Sequence, residues 1–286
     1  MKLDSEWQSG MIKTLTSDSP NFLEKVFSLL ESDGVFVLAG VLSRESCDQL
    51  ITGAEIAYQA IKQEIGESRL ERSGELGVAR FPLKHCDDFA MLLNRAPILQ
   101  IVETLIGKSA ICHSMNAILL PTTKELPPLG SKSLFQSRFH QDFPRYTGGR
   151  LLSLNSFFCL TDFTVANGAT QYLIGSHKSP LRLDSINLSD AVSANAVAGS
   201  VMIFDPTIWH AGGTNLTSSK RVGVNVQWTH HWIKQQIDLV RLLGVDRCSK
   251  YPEDIRQRLG FNSRTVTSLA EYYVSPEERI YKAGQG

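Results

Sequence analysis

The chain has no run of 18 apolar residues, no net charge and no paired-cysteine motif, and each absence removes a class of function. Without such a run there is no candidate membrane-spanning helix, and the opening stretch MKLDSEWQSG carries acids where an export signal would be apolar. A soluble cytoplasmic protein is the expectation. Lys plus Arg equals Asp plus Glu, 29 each, with no block of like charge, so no field gathers nucleic acid or an anionic membrane. The expected partner is a small molecule, and the sequence leaves a homodimer open. The five cysteines, Cys47, Cys86, Cys112, Cys159 and Cys248, are odd in number, scattered and free of any Cys-x-x-Cys, and read as reduced thiols. Internal repeats and low-complexity tracts are also missing.

What is present is a core-forming composition, 42% hydrophobic and 20% charged over 286 residues, with a change of texture along the chain. The first third has helical periodicity. Asp18 or Ser19 is the expected N-cap, with Pro20 at the first turn, for a helix carrying Phe22, Leu23, Val26, Phe27 and Leu30 on one face. The stretch VFVLAGVL reads as a strand, Ser43 opens a second helix that stops at Gly66, and Pro97 divides DDFAMLLNRAPILQIVETLIG into two helical pieces. From about residue 109 the segments SAICHSMNAILLP, LLSLNSFFCLTDF, ATQYLIG, SVMIFDP and RVGVNVQWTHHWI are β-rich and divided by turn residues. The expectation is a single domain spanning 1–286: a helix-rich part over about 18–108, a double sheet or barrel over about 109–235 and a C-terminal helical extension around YPEDIRQRLG. The turn-rich loop between 121 and 137 is expected to border a site.

His-x-Asp occurs twice, at His140–Asp142 and at His85–Asp87. On a strand, residues i and i+2 share a face with Cα atoms roughly 6.6 Å apart, so either pair can converge on one ion. Asp87 or Asp88 stands where a helix N-cap is expected, which gives the earlier pair a structural role. A redox-active iron site takes two imidazoles and one carboxylate on one face of an octahedron, so His140 and Asp142 need a distant histidine. His210 is favoured, at the end of the apolar strand SVMIF and before two glycines; His177 reads as a turn histidine, and His230 and His231 point to opposite faces of one strand.

HQD at 140, NGATQYLIGSH at 167, WHAGGTN at 209 and Arg221 in KRVGVNVQW together resemble the phytanoyl-CoA dioxygenase (PhyH) family of iron(II)- and 2-oxoglutarate-dependent oxygenases. The resemblance implies a mainly β fold with flanking α-helices, built on a double-stranded β-helix (jelly-roll, cupin-like) core. It implies that His140, Asp142 and His210 ligate iron(II) and that Arg221, 11 residues after His210, pairs with the far carboxylate of 2-oxoglutarate through its planar fork. It places Thr170 beside 2-oxoglutarate, Tyr146 at an aromatic position flanking the site, and Asn116 at a polar co-substrate position. Ile174 stands where proline is common in relatives. Strand parity adds candidates for substrate contact: Asn225 and Gln227 share the face of Arg221, and Asn155 and Phe157 form the more polar row of their strand.

The implied activity consumes 2-oxoglutarate and O2 and oxidises a small molecule, with hydroxylation as the usual outcome. A substrate from natural-product or secondary metabolism ranks first and an acyl-CoA second; desaturation, epimerisation and cyclisation stay open as outcomes. Related halogenases replace the carboxylate ligand with a small residue, and Asp142 argues against that chemistry. A cupin-like metal enzyme without 2-oxoglutarate would not need Arg221, and a binding protein on the same fold would tolerate loss of a ligand.

Overall fold

Period-two alternation on the long central strands decides which side of the sheet holds the site. The computed structural model describes residues 11–123, 137–143, 147–178, 180 and 187–279. The described residues form strands β1 Thr14–Leu15, β2 Val35–Leu38, β3 Val78–Arg80, β4 Ile111–Leu120, β5 Ser153–Cys159, β6 Gln171–Tyr172, β7 Val192–Ser193, β8 Val201–Phe204, β9 His210–Ala211 and β10 Arg221–Thr229. Seven of them make one sheet in the order β1-β2-β8-β5-β10-β4-β3, and β7-β6-β9 make a smaller one. An isolated antiparallel bridge adds His140 beside His210.

Two cores follow from this arrangement. On β10, Val222, Val224, Val226 and Trp228 enter a large apolar cluster with Leu50, Ile101 and Leu259 from the surrounding helical segments. The opposite face of the same sheet contributes Val37, Phe157, Met202 and Phe204 to a second cluster, completed by Ala169, Tyr172 and Ile208 from the side of the small sheet. Two sheets closing on a shared interior, with helices covering the outside of the larger one, is the double-stranded β-helix expected from the sequence. Register fixes the inward rows. Asn225 lies between Asn116 on β4 and Phe157 on β5, and Gln227 lies between Ser114 and Asn155.

The helices are α1 Phe22–Ser32, α2 Arg44–Ile65, α3 Glu67–Ser73 and α4 Ile98–Leu105, followed after the strands by α5 Leu239–Leu243, α6 Val245–Ser249, α7 Glu253–Arg258 and α8 Leu269–Tyr272. Ser43 caps α2 by accepting the Ser46 N–H at 3.2 Å, and the helix stops at Gly66, whose φ is 87°. The N-cap of α1 differs from expectation: it is Asn21, in a left-handed conformation with no side-chain cap bond. Thr16 and Ser19 are used up in a turn of their own, the Ser19 N–H reaching the Thr16 carbonyl at 3.1 Å. The expected caps Asp87 and Asp88 are also corrected. Cys86 precedes the 3-10 helix Asp87–Leu93, and the Asp87 carboxylate binds Arg247 at 2.7 Å and the Tyr251 hydroxyl instead. The loop expected to border the site falls largely in 124–136, outside the described residues. Among the described residues no helix is long and apolar enough to cross a membrane.

Candidate metal centre

His140 and His210 face each other through reciprocal backbone hydrogen bonds, 2.9 Å from His140 N–H and 3.0 Å from His210 N–H. That pairing brings their ring centroids to 4.4 Å. Each imidazole commits Nδ1 to a carbonyl two residues earlier: His140 to Arg138 at 2.7 Å and His210 to Ile208 at 3.0 Å. A neutral imidazole has one N–H, so donation from Nδ1 leaves a lone pair on Nε2. Both Nε2 atoms face Asp142, 3.4 Å from Oδ1 for His140 and 3.6 Å from Oδ2 for His210. One ligand atom from each of the three residues lies within 4.8 Å of the others, a spacing that can hold one ion.

The charges suit a cation. Burial pushes the His210 imidazole down to about 4, so it is neutral at physiological pH. For His140 burial opposes the proton, but the hydrogen bond and charge of Asp142 outweigh it and raise the pKa. Burial alone would raise the Asp142 carboxyl; the facing histidines and the Asn155 amide hold it well below the usual carboxylate range. An ionised carboxylate thus stands between a neutral His210 and a His140 whose Nε2 proton it stabilises, a proton that a bound cation would displace.

The cavity in front of these three residues is walled by Arg80, Asn116, Thr170, Arg221 and Asn225, with Ile118, Phe157 and Phe204 as apolar surfaces. Arg221 opens β10 and is 2% exposed. Its guanidinium lies 4.4 Å from the Phe163 ring centroid and 5.9 Å from that of Phe157, and Nη1 donates to the Gly168 carbonyl. Burial pushes its pKa down to about 10, which still leaves it charged at neutral pH. Among the described residues no carboxylate pairs with it, and its Nε has no hydrogen-bond partner. A buried cation without a counter-charge is costly, and a bound carboxylate would relieve that cost. Thr170 Oγ1 and Asn116 Oδ1 are buried and unpartnered beside it.

The structure therefore brings His140, Asp142, His210, Arg221, Thr170 and Asn116 around one cavity. Tyr146 lies outside the described residues. Of the residues expected to face substrate, Asn155 and Asn225 donate to Asp142 Oδ2, at 2.5 Å and 3.4 Å. Phe157 packs against Arg221. Gln227 is buried among Ser153 and Ser114, its Nε2 donating to Ser153 Oγ at 3.1 Å and its Oε1 accepting from Ser114 Oγ at 3.4 Å. Of the other histidines, His113 on β4 lies near enough to feel the Asp142 charge, while His177 and His231 lie elsewhere. His177 Nε2 meets the Glu31 carbonyl at 3.2 Å, a contact across elements and not within its own turn. His231, Trp232, Lys234 and Gln235 line a separate cleft with Arg264.

Sequence reasoning did not single out Arg80 or Tyr172. Arg80 ends the three-residue strand β3, too short to show periodicity, yet its register partner is Asn116 and Glu75 holds its guanidinium at 2.6 and 3.0 Å. Tyr172 stacks on His210 with centroids 5.7 Å apart. Only its i, i+2 relation to Thr170, which precedes the two-residue strand β6, could have signalled that.

The phytanoyl-CoA dioxygenase (PhyH) family model matches residues 30–223. The chain belongs to the PhyH family. It is 38% identical over 265 residues to the uncharacterized protein Rv1501 of Mycobacterium tuberculosis, covering 92% of this chain and 96% of that one. It is 25% identical over 224 residues to the iron/alpha-ketoglutarate-dependent dioxygenase ausU of Aspergillus calidoustus, covering 71% and 68%. Among solved structures, the non-heme alpha ketoglutarate dependent epimerase SnoN from nogalamycin biosynthesis matches 74% of this chain and 84% of its own, with a TM-score of 0.57 and 17% identity, a likeness of fold. Membership makes the PhyH chain an oxidoreductase and implies iron(II), 2-oxoglutarate and O2 as its cofactor and co-substrates.

Proposed function

We propose that this PhyH protein is an iron(II)- and 2-oxoglutarate-dependent dioxygenase that hydroxylates a small molecule of secondary metabolism. The observation that carries the reading is Arg221, a buried cation without a carboxylate partner in the cavity that also holds the His140–Asp142–His210 set. His140 and His210 would hold iron through Nε2 and Asp142 through a carboxylate oxygen. Arg221 would bind the far carboxylate of 2-oxoglutarate, with Thr170 donating its hydroxyl proton to the same ligand and Asn116 contributing its amide. When bound, the iron and 2-oxoglutarate supply the oxidising chemistry, in which O2 and 2-oxoglutarate become carbon dioxide, succinate and the oxygen added to substrate. The protein's own part is to hold these groups in place and to shield them with Phe157, Ile118 and Phe204. On the cavity wall Arg80 is a polar group given neither to the metal ligands nor to 2-oxoglutarate, and it suits a functionalised small molecule better than a fatty acyl chain.

Anaerobic titration tests the reading. Iron(II) followed by 2-oxoglutarate should produce a weak visible charge-transfer band in the wild type. Arg221→Ala should bind iron but lose the band at the same 2-oxoglutarate concentration, and Asp142→Ala should lose both. Iron binding with no response to 2-oxoglutarate, and no succinate formed in air with any member of a metabolite panel, would sink the proposal.

A further inference from the structure

Asp142 is not on a strand, although it stands two residues after the bridge that fixes His140. Its carboxylate is held from outside. Asn155 on β5 and Asn225 on β10 both point into the barrel, and both donate Nδ2 to the same oxygen, Oδ2, at 2.5 Å and 3.4 Å. Oδ1 receives neither amide and faces His140 Nε2 at 3.4 Å. An ionised carboxylate only accepts, so the amide orientation is set by Asp142 and each Oδ1 of the two asparagines must turn away.

Those carbonyl oxygens have no partner, although they are buried. Asn155 is 0% exposed, and its cross-strand neighbour Gln227 has an amide donor that goes to Ser153 Oγ at 3.1 Å instead. If the asparagines served only to satisfy the interior of the barrel, Gln227 and Asn155 would be expected to pair. The structure leaves the acceptors empty and gives both donors to the carboxylate.

We infer that Asn155 and Asn225 are positioning residues that clamp Asp142 by Oδ2 onto the rigid large sheet and leave Oδ1 to the metal. The inference rests on the metal-binding reading of His140, Asp142 and His210. It replaces a substrate-contact role for the two asparagines with one exerted through the metal ligand, as outer partners of metal-bound carboxylates commonly do.

Cobalt(II) binding to the metal-free protein tests it without substrate or turnover, by calorimetry and by the visible d–d spectrum. Asn155→Leu, near in size, should weaken cobalt binding by about 10- to 100-fold, a usual range for loss of such a partner. Asn225→Leu should weaken it less, in keeping with its longer bond, and circular dichroism melts should show both variants folded. The same Asn155→Leu change placed on Asp142→Ala, titrated with millimolar cobalt, should add no further loss. Wild-type protein that binds no stoichiometric cobalt would overturn the metal-site reading itself. Wild-type binding with unchanged affinity in Asn155→Leu, or an equal loss on both backgrounds, would overturn the clamp alone.

Discussion

Gly223 shows how much of the site depends on one missing side chain. It faces inward on β10 between Arg221 and Asn225, and a Cβ there would lie 2.6 Å from Phe157 Cε2 and 2.9 Å from both the Phe158 carbonyl and Phe163 Cζ. The carbonyl is fixed by the sheet, so the two rings would have to move, and they are the rings that flank the Arg221 guanidinium. Overpacking of this kind costs about 1–3 kcal/mol. Gly223→Ala should therefore lower the melting temperature and also weaken 2-oxoglutarate binding, while cobalt affinity stays near wild type. A variant with lower stability but unchanged 2-oxoglutarate affinity would show that Arg221 is placed by something other than Phe157 and Phe163.

At the scale of elements, the helical extension after β10 is tied back to the N-terminal half by several polar contacts, among them Arg258 to Glu103 at 2.6 Å and a knot centred on Asp87. Arg247 of α6 donates to the carbonyls of Leu83 and Lys84 at 2.7 and 3.0 Å and to Asp87 at 2.7 Å, and the Tyr251 hydroxyl joins the same carboxylate. The Tyr251 hydrogen bond, then Arg247, hold the Asp87 carboxyl below its ordinary value. A depressed folded pKa adds stability above the unfolded value and loses it as pH falls through the folded one. Asp87→Asn should then lower the melting temperature near neutral pH and match wild type once both carboxyls are protonated. Asp87 is largely exposed, so the effect should stay below about 1 kcal/mol. A deficit that persists below the folded pKa of Asp87 would mean that packing, and not charge, gives this residue its effect. This knot was illegible in the sequence, since its partners stand 160 and 164 residues from Asp87 and no local pattern joins them. What was legible had period or punctuation: the alternation of β10 and β5, and the Ser43 cap and Gly66 stop of α2. The two-residue strands β6, β7 and β9 carry no periodicity, and the α1 cap depends on a left-handed Asn21 that composition does not announce.

The whole molecule is bound together by strands that belong to both cores at once. Leu154 and Phe158 of β5 enter the cluster beneath the helices, while Phe157 and Cys159 of the same strand enter the barrel interior. Separating the helical layer from the sheet would strip one face of the strands whose other face carries the site, so opening is expected to be concerted. The free cysteines report on it. Cys47 lies in the helix-side cluster and Cys159 in the barrel; both are fully buried, and burial raises their pKa, so each should react with a thiol reagent only after opening. Cys86, half-buried, should react first. A ligand that binds only the native state at 100 times its Kd stabilises that state by about 2.7 kcal/mol, which lowers the open population roughly 100-fold. Cobalt with 2-oxoglutarate should then slow labelling of Cys47 and Cys159 by the same factor, although Cys47 belongs to the helix-side cluster. If Cys159 alone were protected, the barrel would open independently of its helical cover, and the shared strands would not couple the two cores.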